Sequence, residues 1–62
     1  MDIIKIKKYA IAGILIRIEA EENKLNATTD KARRNEIKKR IEELKADYEI
    51  ILNDIKTQNS PL

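Results

Sequence analysis

From Ile37 to Ile55 large apolar residues return at steps of four, three, four, three and four: Ile37, Ile41, Leu44, Tyr48, Ile51 and Ile55. The residues between them are mostly Lys, Glu, Arg and Asp. Only an α-helix keeps positions so spaced on one side, so the pattern predicts a helix with one narrow apolar seam. The stretch from 3 to 25 is patterned differently. One stripe contains Ile4, Ile11, Leu15, Ile18 and Leu25, with Ile14 on its shoulder. A second stripe, nearly opposite, contains Ile6, Tyr9, Gly13, Ile16 and Ala20. Lys5, Lys8, Arg17 and Glu19 fill the strips between. A helix that is apolar on two sides is covered on two sides, which makes the first helix the inner one.

Asn26-Ala27-Thr28-Thr29-Asp30 interrupts both patterns. Asn, Thr and Asp are poor inside helices and good at their ends, and Asp30 in a first turn complements the helix dipole. The N-cap of the second helix is expected at Thr28 or Thr29. No capping box supports it, because Lys31 or Ala32 stands where Glu or Gln would be needed. With no Gly or Pro at the break, one continuous helix of more than fifty residues is the alternative. The expected organisation is one domain spanning 1–62: helix 3–26, turn 26–30, helix 30–57, and a polar tail at 58–62 closed by Pro61.

Charge favours the hairpin over the single rod. Folding back at residue 28 brings Ile4 near Leu52, Ile11 near Leu44 and Tyr48, and Ile18 near Ile37 and Ile41. The same register sets Glu19, Glu21 and Glu22 beside Arg33, Arg34 and Lys38, and Lys5, Lys7 and Lys8 beside Asp47, Glu49 and Asp54. Each exposed pair contributes at most ~1 kcal/mol, so the charges select the register while apolar burial supplies the stability. One stripe of the first helix is then left over. Contiguous apolar strips of this kind mark interfaces, and Gly13, which costs about 1 kcal/mol relative to Ala inside a helix, suits close approach by a neighbour. The expected fold class is therefore all-α, an antiparallel two-helix hairpin that dimerises through Ile6, Tyr9, Gly13, Ile16 and Ala20 into a four-helix bundle.

Composition narrows the rest. A chain of 62 residues has room for one domain and a thin core, and such chains often need a staple or a partner. Cys and His are both absent, which leaves no disulfide, zinc finger, thiol chemistry or imidazole catalysis. Charged residues make up 39% of the chain, and isoleucine supplies most of the large apolar positions. In so polar a host, helical spacing outweighs isoleucine's preference for strands. The most apolar run, Tyr9 to Ile16, is far short of the ~20 residues of a membrane span. Lys5, Lys7 and Lys8 near the start resemble a signal-peptide n-region, but no small-residue cleavage site follows before Glu19. A cytoplasmic location with no membrane partner is expected.

Nothing in the sequence assembles a catalytic constellation. Neighbours on a helix point about 100° apart, so Glu21-Glu22 and Glu42-Glu43 do not converge. Glu43 and Asp47 are one turn apart, but a di-metal carboxylate site of the bundle type also needs His. No general base or Gly-rich phosphate loop is present. The expectation is a protein that is not an enzyme and takes no cofactor or metal. One basic flank, Lys31, Arg34, Lys38 and Lys45, is spaced to follow phosphates. Against it, Glu36–Arg40, Lys38–Glu42, Lys39–Glu43 and Lys45–Glu49 are internal helix pairs, and no aromatic residue interleaves for base stacking.

In size and hairpin form the chain is similar to the small RNA-binding copy-control proteins of plasmids. That likeness is one of architecture and carries no residue across. The functional expectation is a small regulatory protein-protein interaction module of phage or plasmid type, binding itself and another protein. The alternative is an RNA- or DNA-binding regulator using the basic flank.

Overall fold

A computed structural model describes residues 2–59, with side chains as far as Thr57. It contains two helices, α1 (Ile3–Ala27) and α2 (Lys31–Asn59), packed against each other as a hairpin. The single continuous rod is thereby excluded. The helix 3–26 is one residue longer than expected, and the turn shrinks from 26–30 to 28–30. The second helix begins one residue later than expected and runs through 58 and 59, two positions assigned to the polar tail. The rest of that tail lies outside the described residues.

Each helix end has a local cause. The Asp2 carboxylate accepts the Ile4 N–H at 3.0 Å, satisfying one of the four donors that the start of α1 leaves free. At the other end Thr28 is extended, with φ −103° and ψ 129°. Its N–H donates to the Leu25 carbonyl at 3.3 Å and its hydroxyl to the Lys24 carbonyl at 2.6 Å. Thr28 thus closes α1 and does not open α2. The first bond of α2 runs from the Arg34 N–H to the Asp30 carbonyl at 2.9 Å, which makes Asp30 the capping position in place of Thr28 or Thr29.

The seam of α2 is as its spacing predicts: Ile37, Ile41 and Ile55 are buried, and Leu44, Tyr48 and Ile51 half-buried. On α1 the covered side is Ile4, Ile11, Ile14, Ile18 and Leu25, all half-buried. Leu15 leaves the inner stripe and Ile14 replaces it; Leu15 is 48% exposed. Ile14 and Leu15 both fit a three-four step between Ile11 and Ile18, and it is the Ile14 side of that line that turns toward α2. Among the described residues no side chain is completely enclosed. The core is one layer of isoleucines between two rods.

The shape follows. The molecule measures 49 × 19 × 13 Å with a radius of gyration of 14.7 Å, against about 11 Å for a compact domain of 62 residues. Its accessible area is 5117 Å², where a monomer of this size exposes about 4,100 Å². Roughly 1,000 Å² of extra surface remains in water.

Candidate interaction surfaces

The seam itself carries charge at three places where the sequence pattern shows a gap. Continuing the three-four steps of α1 through Ile4, Ile11, Ile14, Ile18 and Leu25 lands on residues 7 and 21, and these are Lys7 and Glu21. Continuing the seam of α2 one step back from Ile37 lands on Arg34. Lys7 is half-buried and its ammonium pairs across the hairpin with Asp54. Glu21 is buried; its two carboxylate oxygens lie 3.4 Å from the Lys24 ammonium and 3.4 Å from the Arg40 guanidinium of the other helix. The fold-back register placed Glu21 beside Arg33, Arg34 and Lys38; its cross-helix partner is Arg40 instead, two residues beyond Lys38. Lys7 and Glu21 are separated by the same number of residues as Arg40 and Asp54, two heptads in each case. One constant register therefore satisfies both ion pairs. The sign is reversed between them, basic on α1 at the open end and acidic on α1 near the turn.

Arg34 has a separate task. One guanidinium nitrogen, Nη1, donates to the Leu25 carbonyl at 2.7 Å and to the Thr28 carbonyl at 2.8 Å. Those are carbonyls at the C-terminal end of α1, which no intrahelical N–H reaches, and a cation at that end also meets the negative pole of the helix dipole. Arg34 pins the turn to the end of α1. Its identity was legible as a basic residue; its role needed the position of the turn.

That assignment bears on the basic flank. Lys31, Lys38 and Lys45 are exposed, whereas Arg34 is half-buried and directed inward. Lys38 and Lys45 line one shallow groove beside Ile41 and Leu25, and Glu22 and Glu42 line it with them. The basic side chains are thus interleaved with acids from both helices. Among the described residues no cluster of three acidic side chains is arranged to hold a metal ion, and no helix is long and apolar enough to cross a membrane.

The strip of α1 that faces away from α2 is apolar and open. Tyr9 and Ile16 are each 68% exposed and Ile6 is 47% exposed, and Gly13 and Ala20 between and beyond them are exposed as well. All five expected strip residues therefore share one open face. Gly13 needs no special backbone, since no glycine has a positive φ. A Cβ built on it meets nothing within 4 Å. Packing within the chain gives no reason for a glycine there. Ile50 on α2 is also exposed, but a lone exposed isoleucine is ordinary on a protein surface.

No protein-family model matches the chain, and comparisons with curated proteins and with solved structures give no significant match.

Proposed function

We propose that this chain is a non-catalytic interaction module of the cytoplasm that works as a homodimer of hairpins, joined through Ile6, Tyr9, Gly13, Ile16 and Ala20. The observation carrying the proposal is the open apolar strip on α1, with Tyr9 and Ile16 more than half in water and a glycine at its middle that nothing in the chain explains. The surplus of roughly 1,000 Å² over a typical monomer is close to the ~800 Å² that each partner contributes to a stable interface. Among the described residues three isoleucines are well buried, and so thin a core gives a further reason to associate, because chains this small gain stability by oligomerising. The dimer places both α1 helices at its centre and both charged α2 helices outside, where they are available to a second protein. The nucleic-acid reading draws less support, since Arg34 is engaged at the turn and Glu22 and Glu42 accompany Lys38 and Lys45.

Sedimentation equilibrium tests the proposal. The wild type is expected to be a dimer at micromolar concentration, and Ile16→Glu a monomer that keeps its helical circular dichroism. By symmetry the substitution acts twice, so the dissociation constant should rise at least about a hundredfold, at ~1.5–3 kcal/mol per isoleucine removed from an interface. A wild type that sediments as a monomer throughout the micromolar range ends the proposal.

A further inference from the structure

We infer that the two α1 helices of the dimer run antiparallel, crossing at Gly13, with Ile6 of one copy against Ala20 of the other. This rests on the self-association proposed above and specifies how the second copy is seated. Three features of the exposed strip point the same way.

The first is taper. Along the strip Ile6 lies at the N-terminal end and Ala20 and Ala27 toward the C-terminal end, with Tyr9, Gly13 and Ile16 between. Two such wedges laid parallel place bulk on bulk at one end and alanine on alanine at the other, so the axes splay and a gap opens. Laid antiparallel, Ile6 meets Ala20 at both ends and Tyr9 lies beside the other copy's Ile16 on either side of Gly13, so the two ends are alike and the spacing between axes stays constant, which close packing requires. Gly13 is equidistant in sequence from Ile6 and Ala20, so a twofold axis through Gly13 pairs them and lets the backbones approach where a side chain is missing.

The second is charge. Lys5, Ala12 and Glu19 recur every seven residues on the flank adjoining Ile6, Gly13 and Ala20. In an antiparallel pair a flank faces the same flank of the other copy, which sets Lys5 beside the other copy's Glu19, twice by symmetry. Lys5 and Glu19 are both exposed, and neither forms an ion pair within the described residues. A parallel pair would align the Lys5, Lys7 and Lys8 segments of the two copies. The third is the helix dipole, whose opposite ends meet in the antiparallel arrangement and whose like ends meet in the parallel one.

The chain has no cysteine, so single cysteines report geometry without background. Seven residues separate Ile6 from Gly13, and a helix rises ~1.5 Å per residue, so in the antiparallel dimer the two copies of position 6 are ~21 Å apart. A disulfide requires Cα atoms within about 7 Å. Ile6→Cys and Ala20→Cys are therefore expected to resist oxidation when each is alone, and to give a cross-linked heterodimer when mixed. Both sites are exposed on the hairpin, so circular dichroism should be unchanged. Charge reversal supplies an independent measurement: Lys5→Glu and Glu19→Lys should each weaken the dimer roughly three- to tenfold, and the double variant should recover most of the loss. A dimer in which each cysteine cross-links to its own copy overturns the antiparallel arrangement and leaves self-association standing. A dimer with no cross-link in any combination overturns it too, because the strip is then not the contact. A monomeric wild type removes both the arrangement and the function it rests on.

Discussion

Gly13 and Arg34 show how single residues divide between serving the hairpin and serving something outside it. Gly13 has an ordinary helical backbone and empty space beside it, so Gly13→Ala should stabilise the isolated hairpin by about 0.4–1 kcal/mol through reduced freedom of the unfolded chain. If the strip packs closely against a second copy, the added methyl must also weaken association. Urea melts at low and high protein concentration separate the effects: the variant should gain at low concentration and lose that gain at high concentration. A gain of the same size at both would argue against close approach at Gly13. Arg34 is the opposite case, spent entirely inside the chain. Removing it in Arg34→Ala leaves the Thr28 carbonyl to water and the Leu25 carbonyl with the Thr28 N–H alone, and hydrogen bonds from a charged donor contribute about 1.5–3 kcal/mol. Because the site is half-buried, a loss of about 1–2 kcal/mol in denaturant melts is expected, and Arg34→Lys should recover only part of it, since an ammonium on a flexible stem lacks the fixed donor geometry of the planar guanidinium.

For the elements, the seam of α2 is legible from Ile37 to Ile55 because its apolar residues recur there without a gap on one face and its other faces are charged. α1 was harder. Its two apolar stripes overlap around Ile14, Leu15 and Ile16, and spacing cannot decide which neighbour turns inward, since Ile14 and Leu15 both lie one three-four step from Ile11 and Ile18; the packing against α2 turns Ile14 in and leaves Leu15 exposed. The polar members Lys7, Glu21 and Arg34 were missed at the seam for a related reason. A search for apolar recurrence passes over a charged residue even where the spacing demands a position. The turn was placed to within two residues, but its cap was misassigned because Thr28 serves the helix before it. The strip residues Ile6, Tyr9, Gly13, Ile16 and Ala20 are all exposed, whereas Arg34 of the basic flank is engaged at the turn. Packing energy should be unevenly shared along α2. Ile41→Ala, at a buried site, is expected to cost about 2–4 kcal/mol, while Leu44→Ala, at a half-buried one, should fall at or below the bottom of that range; thermal melts of the two variants compare them directly.

The molecule as a whole is a rod 49 Å long, and its cross-helix contacts differ greatly in how much chain lies between them. Arg34 and Leu25 are 9 residues apart, Arg40 and Glu21 19, and Asp54 and Lys7 47. Closing the longest of these loops from the unfolded state costs about 1.5 kcal/mol more than closing the shortest, by the logarithmic dependence on loop length. Each pair formed nearer the turn shortens the loop left for the next. Folding should consequently proceed as a zipper from the turn toward the two ends of the chain, with the open end the last to close and the first to part.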